Sequence, residues 1–311
     1  MDKTFLETCL KTAESSYVWT LYFFSSRKQR NAGYNYDSHK VRFTKSSDLI
    51  SYVGQVLHAV SEYQILPISQ VEEYNGYNTK CSCDRLSVDN EVIVSNFSAF
   101  RDSLANAIDA DVRDSYKGYV LEGQPNQDTT GEVVTFLKFA NPTTQLKSKK
   151  NIFFKKSENS SLTEVTEQFF RMYLTVDAIL IAENLYFFNH SFEKIFDVEQ
   201  TLKNVKNRAI KTITDAGFIS NSDKFSEYAQ STNARTFITL ADERIQRASD
   251  ESNRQEIGSN FGIPLDSKNL FEIADKEQTN RLLKYLCYKA FKDSETNEIL
   301  EASNVSKLNV S

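Results

Sequence analysis

The sequence predicts an α+β protein: a mixed or antiparallel sheet followed by a helical C-terminal portion. Three features predict it. Short β-branched and aromatic runs recur as far as Phe188. Within Val176–Asp197, VDAILIAENLYFFNHSFEKIFD, the apolar runs Ala178–Ala182 and Leu185–Phe188 flank a polar Glu183-Asn184 break, as in a β-hairpin covered on both faces. From Val198 onward the apolar residues take up helical spacing, and strand-like runs almost cease.

In chain order, Lys3 to Glu14 reads as a helix and Tyr17 to Phe24 (YVWTLYFF) as a strand. A polar, basic turn (Ser25 to Gly33) leads to a second strand, Tyr34 to Phe43. Ser47-Asp48 would cap a helix over Leu49 to Tyr63, with Leu49, Val53, Val56, Leu57 and Val60 on one face. Phe97 to Ile108 is a further helix. The chain turns polar between Asp109 and Thr130, and Glu122 to Gly131 reads as a linker. The boundary placed there separates an N-terminal α/β region, 1–130, from a second domain, 131–311. Val133–Phe139, Asn151–Lys155 and Phe169–Val176 read as strands ahead of the hairpin. Asn189 or Ser191 is the expected N-cap of a short helix entered through Phe192. Val198 to Ala216 carries Val198, Leu202, Val205, Ala209 and Ile213 on one stripe, closed by Gly217. Helices follow at Phe225–Ala229, Ala234–Ala248 and Lys276–Phe291, and Glu298 to Glu301 returns as a last strand.

Several chemistries are excluded or left without material. Charged residues make up 25% of the chain and the net charge is −5, so no global charge points to nucleic acid. Met1-Asp2-Lys3 opens no signal-peptide hydrophobic region, and the apolar runs fall far short of a membrane span, so a cytoplasmic location is expected. The glycines are nowhere spaced as G-x-G, which removes the loops in which backbone approaches a phosphate. The cysteines Cys9, Cys81, Cys83 and Cys287 and the histidines His39, His58 and His190 show no metal-ligand spacing. They also leave little for a Ser-His-Asp or Cys-His site. Ser25-x-x-Lys28 lacks the companions of a Ser-Lys hydrolase. Asp266-Ser-Lys268 lacks the paired acid of a nuclease and reads as a capping loop before Leu270. Asp177, at the head of a buried strand, reads as a cap or salt-bridge partner, and Glu193 as a favourable charge at a helix N-terminus. Neither catalytic residues, nor a metal, nor a cofactor is expected.

The positive signal is local and basic. Lys138, Lys147, Lys149, Lys150, Lys155 and Lys156 fall in one stretch with no acid among them. Ile152, Phe153 and Phe154 interrupt the lysines and would anchor a strand. Charge without opposing carboxylates is what contact with a phosphate backbone requires. A lysine-protected edge strand has the same composition, and that alternative stays open. Arg27-Lys28-Gln29-Arg30 is a weaker cluster, and Lys203 with Lys206 reads as an ordinary solvated helix face.

The second half also carries a resemblance. Phe136-Leu-Lys-Phe139, Lys149-Lys-Asn-Ile-Phe-Phe154, the whole of Val176–Asp197, and the long helix after Val198 resemble the KwaB family of the Kiwa anti-phage defence system. Leu282-Leu-Lys-Tyr-Leu286, Asp293-Ser-Glu-Thr296, Ala302-Ser303 and Lys307-Leu308 look like the end of that domain. The resemblance runs from about Gly131 to the C-terminus, and the first 130 residues carry none of its motifs. It is a core signature and transfers no catalytic residue. It implies a cytoplasmic effector that binds phage DNA at the inner membrane, a small multi-span membrane partner (KwaA), and self-association as a dimer. Three functions stay in play: a DNA-binding defence effector, a nuclease of unrecognised type, and an assembly or adaptor protein without nucleic-acid contact.

Overall fold

In the computed structural model, which describes residues 3–29, 34–74, 82–109, 116–127, 130–144, 154–156, 162–164, 169–293, 295–296 and 298–301, the chain divides into two units. The first holds residues 1–72 and 78–198; the second holds 73–77 and 199–311.

The first unit opens with helix α1 (Lys3–Ser16), strands β1 (Tyr17–Lys28) and β2 (Tyr34–Lys40), and helix α2 (Ser46–Ala59), which runs on as a π-helical turn, Val60–Ile65. Next come β3 (Gln70–Glu73), β4 (Ser82–Ser87), α3 (Val94–Ala105), β5 (Ile108–Asp109), β6 (Gly118–Pro125) and β7 (Val134–Lys138). Four short strands follow: β8 (Thr143–Thr144), β9 (Phe154–Lys156), β10 (Leu162–Glu164) and β11 (Phe169–Phe170). The hairpin β12 (Ala178–Ile181) and β13 (Asn184–Phe187) leads to α4 (Phe192–Ile195). One mixed nine-stranded sheet has the order β3-β4-β13-β12-β7-β6-β1-β2-β5. The β2–β5 pair is parallel; the others whose register is described are antiparallel.

Alternation along β1 explains why the sheet is covered twice. Leu21 and Phe23 join Leu6, Leu10, Val53, Val56, Val60, Phe136 and Ile179 in the core under α1 and α2. Phe24 points the other way, into an aromatic cluster with Phe100 (centroids 5.0 Å apart) and Phe139 (6.3 Å), which Tyr36, Phe97 and Phe196 extend. Each fully buried ring contributes about 1.5–3 kcal/mol, which fixes α3 and α4 on this face. Trp19 stacks on Phe136 at 5.8 Å and 10°.

The structure moves several expected boundaries. The supposed linker begins inside β6, a central strand whose Tyr119, Val120 and Leu121 are buried. The boundary expected near residue 130 therefore lies between two neighbouring strands of one sheet. Helix α2 starts at Ser46 with no side-chain cap, so Ser47-Asp48 does not cap it. Only Phe169–Phe170 of the Phe169–Val176 run pairs as a strand. The hairpin turn is Ala182-Glu183, one residue earlier than expected, and Asn184 pairs with Ile181. Both turn residues have positive φ (48° and 58°), as a two-residue hairpin turn demands but side chains resist. Arg101 offsets that strain by a two-pronged grip on the Glu183 carboxylate (2.6 and 3.2 Å).

The second unit is helical: α5 (Val198–Asp215), α6 (Ser222–Gln230), a 3₁₀ segment Ala234–Thr239, α7 (Asp242–Ser249), α8 (Glu251–Phe261) and α9 (Lys276–Leu286), then the ribbon β14 (Ala290–Lys292) with β15 (Ile299–Glu301). Val205, Ile213, Phe218, Phe225, Ile257, Phe271, Leu282 and Leu286 make its core. Gly217, at φ 71°, ends α5 as expected. The helix expected over Ala234–Ala248 breaks at Leu240-Ala241, because Ala241 N–H bonds Leu286 O instead (3.1 Å). The helix expected to reach Phe291 stops at Leu286, and Ala290–Lys292 pairs with the last strand. The fold class is α+β, as expected.

Candidate nucleic-acid interface

The lysine-rich stretch occupies an excursion of the first unit's sheet. Strands β7 and β12 lie side by side, with Leu137 opposite Ala178 and Thr135 opposite Leu180. The chain between them leaves at Phe139 and returns at Asp177. Both ends are fastened. Asp177 is 5% exposed. Its carboxylate accepts from Lys138 Nζ (2.9 Å), Phe139 N (2.7 Å) and Asn189 Nδ2 (2.8 Å). A carboxylate taken this far from water needs such donors, and here it joins the outgoing strand, the incoming strand and the chain after β13. The structure thus gives Asp177 the salt-bridging role its position suggests.

The returning limb is held along its length. Arg171 N donates to Pro142 O (2.7 Å), and β8 pairs with β11 beside it. Tyr173 N donates to the Tyr119 hydroxyl (2.6 Å), which donates back to Tyr173 O (3.0 Å). The Tyr52 hydroxyl reaches the same carbonyl (2.9 Å). Burial pushes the Tyr119 phenol up to about 12, so it stays neutral and keeps the proton it donates. The Gln64 side-chain amide mimics a strand neighbour, giving Nε2 to Val176 O (2.7 Å) and taking Val176 N on Oε1 (2.8 Å). Lys138 and Arg171 lie over the Tyr173 ring, at 5.1 and 4.9 Å.

The expected basic residues are distributed unevenly over this frame. Lys138 sits at the root, with a half-buried head whose charge Asp177 already meets. Lys155 and Lys156 lie on β9, opposite Thr163 and Leu162 of β10. Lys147, Lys149 and Lys150 fall outside the described residues. In the weaker cluster Arg27 is exposed, Lys28 is paired with Asp197 (3.0 Å), and Arg30 lies outside the described residues. A cavity of about 560 Å³ lies toward the opposite end of β7, around Glu132, Val133 and Thr135, with Arg101 and Glu183 on its wall. Its mixed charge does not suit a polyanion.

A second polar cluster gives no signal in the sequence. His190 Nε2 meets Asp84 Oδ2 at 2.7 Å, across 106 residues of chain, and Nδ1 meets Glu193 Oε1 at 3.3 Å. With a carboxylate on each ring nitrogen, the imidazole bridges β4 to α4 and has no nitrogen turned to a nucleophile. Asp84 is 4% exposed, so His190→Ala should cost about 2 kcal/mol by leaving a buried carboxylate short of its donor. Urea unfolding checks this, and His190→Gln should lose less.

Asp266 and the buried cysteines Cys83 and Cys287 likewise serve structure. Asp266 Oδ1 accepts from Lys268 N (2.8 Å) and Leu270 N (2.9 Å), closing a turn; no helix opens at Leu270, and the next one, α9, begins at Lys276. Burial pushes the Cys287 thiol up to about 12 and the Cys83 thiol higher still, away from thiolate chemistry. Among the described residues, no group of three or more His, Cys, Asp or Glu side chains is arranged to hold a metal.

No curated protein and no solved structure matches the chain. A family model described as "Kiwa protein KwaB-like" matches residues 127–292. The matched stretch takes in β7, the excursion with its Asp177 root, the hairpin and the helical unit as far as β14. It covers more than half of the 311 residues, and the chain belongs to the KwaB-like family of Kiwa proteins, components of an anti-phage defence system.

Proposed function

We propose that this protein is the DNA-contacting effector of its Kiwa complex. In this reading Lys147, Lys149, Lys150, Lys155 and Lys156 hold DNA by its phosphates, without reading sequence. Lys138 positions the segment from its root. One observation carries the reading: an acid-free lysine run sits on an excursion whose two ends are bonded to a sheet. A charge set rooted in this way loses less conformational freedom on meeting a polyanion than a loose tail would. The test is duplex binding followed by fluorescence anisotropy across a salt series, with Mg²⁺ or Mn²⁺ added in a parallel arm. Binding that falls with salt, on uncut DNA, supports the reading. Metal-dependent cleavage would make the protein a nuclease, and absence of binding would make it an adaptor.

The reading also assigns membrane attachment to a small multi-span partner of the KwaA type, with the effector on the cytoplasmic side and working as a dimer. Its support is family membership. Among the described residues no helix is long and apolar enough to cross a membrane. Expressed alone, the protein should fractionate with the soluble proteins; with its partner it should pellet with membranes. Recovery of the lone chain from carbonate-washed membranes would refute this.

A further inference from the structure

Tyr285 on α9 is 1% exposed, and its buried hydroxyl has no hydrogen-bond partner among the described residues. Buried polar groups are rarely left so. Tyr285 lines a cleft of about 360 Å³ in the second unit, together with Arg244 and Arg247 of α7, Asn260 of α8, and Phe291 and Lys292 of β14. We propose that this cleft binds a nucleoside phosphate, its phosphate on Arg244 and Lys292 and its base against Phe291.

The cations are held in place before any ligand arrives. The Arg244 guanidinium lies over the rings of Tyr285 (4.7 Å) and Tyr288 (4.5 Å), and the Tyr288 hydroxyl is anchored on Glu243 (2.7 Å). Lys292 Nζ donates to Asn260 Oδ1 (3.2 Å). Arg244 and Lys292 are thus met by neutral groups, rings and an amide oxygen, which position a charge without cancelling it.

The two carboxylates of the cleft are turned to other work. Glu256 pairs with Arg247 (3.1 Å). Asp293 accepts from Glu295 N (2.9 Å), Thr296 N (2.7 Å) and Thr296 Oγ1 (3.0 Å). A planar guanidinium held this way matches two phosphate oxygens. Phe291, 42% exposed, offers a flat apolar face at the same cleft, and nucleobases stack on such faces. The volume lies within the range of small-molecule clefts, about 300–1,000 Å³, and exceeds what a bare phosphate fills. The Tyr285 hydroxyl is itself closed to solvent, so Tyr285 serves the cleft through its ring, which holds Arg244. No glycine loop is needed, since side chains and not backbone would meet the anion.

Two sources share this chemistry: a free nucleotide and the 5′-phosphorylated end of a DNA strand. The test uses the full chain and isothermal titration with AMP, inorganic phosphate, and a short single-stranded oligonucleotide with and without its 5′-phosphate. AMP should bind with a Kd below about 1 mM, and phosphate about tenfold more weakly. Arg244→Gln should weaken both about tenfold. Phe291→Ala should weaken AMP and leave phosphate unchanged. If the phosphorylated oligonucleotide displaces AMP and its unphosphorylated twin does not, a strand end is the source; if neither does, the source is a free nucleotide. AMP binding should survive Lys149→Glu with Lys150→Glu, which separates this site from the lysine surface. Absence of AMP binding, or AMP binding unchanged in both Arg244→Gln and Phe291→Ala, overturns the proposal.

Discussion

Replacing Lys149 and Lys150 together by Glu should weaken duplex DNA binding by on the order of tenfold or more, equally for all sequences. Lysine is a flexible point charge suited to phosphate contact more than to paired recognition of base edges, so sequence preference should not change. The slope of log affinity against log salt should flatten by about 0.9 for each phosphate that the variant no longer neutralises. The fold should survive, because Ile152, Phe153 and Phe154 supply the apolar part of the segment. The choice of control matters. Lys203 and Lys206 look alike in sequence, but Lys206 Nζ is latched to Gln230 O (2.8 Å), so Lys206 is not the solvated residue its position suggests. Lys203, paired along its own helix with Glu199 (2.9 Å), and the exposed Lys211 make the better double control. Wild-type binding by the Lys149/Lys150 variant at every salt concentration would reduce the run to a protected edge. The search would then move to Arg27, Lys28 and Arg30, of which Lys28 is already engaged by Asp197.

The largest loss of stability should come from Asp177→Ala, about 3–5 kcal/mol. The substitution strands a half-buried lysine head, a backbone N–H and an amide at once. Against a typical total of about 5–15 kcal/mol, that places the first unit near unfolding. The chain's one tryptophan, Trp19, is stacked on Phe136 in the same sheet, so its fluorescence in urea reports on this unit. Adding Lys138→Met should restore much of the loss, because removing both members of a buried pair is far milder than removing one. A loss below about 1 kcal/mol for Asp177→Ala would show that water reaches Lys138 and that the root is not a buried ion pair.

The parts of the fold legible in sequence are those with a strong local period. β1, the hairpin and α5 announce themselves because their apolar residues alternate or repeat along one short stretch. β4, Ser-Cys-Asp-Arg-Leu-Ser, does not: it is a strand because β13 lies beside it, a partner about 100 residues away. α8 is hidden for the opposite reason, since its Glu251–Phe261 sequence is polar and carries Gly258, and packing of Ile257 and Phe261 decides it. The end of α9 is hard to place because the apolar pattern continues through Ala290 while the backbone turns at Tyr288, at φ 54°. In the candidate site the charge run is legible and its root only in part. An isolated Asp177 suggests a partner, but nothing in the spacing names Lys138, Asn189 or Gln64. The His190–Asp84 contact joins residues that no window of sequence contains.

The fastening of the excursion at both ends has a consequence for how this protein can change over time. β7 and β12 are neighbours in the finished sheet, so the ends of the intervening segment sit about 5 Å apart whatever lies between them. Residues 145–168, enclosed by the β8–β11 pair, can then gain, lose or exchange charge and length without disturbing the strand register on either side, because loop length itself costs little once closure is fixed. A defence protein faces targets that shift quickly, and such a division would let the lysine segment drift, if it is the one that meets DNA, while the sheet keeps its register. If the lysine run is the DNA contact, grafting 145–168 from a divergent relative should move DNA affinity toward that relative's, provided β8, β11, Lys138, Phe139 and Asp177 stay in place.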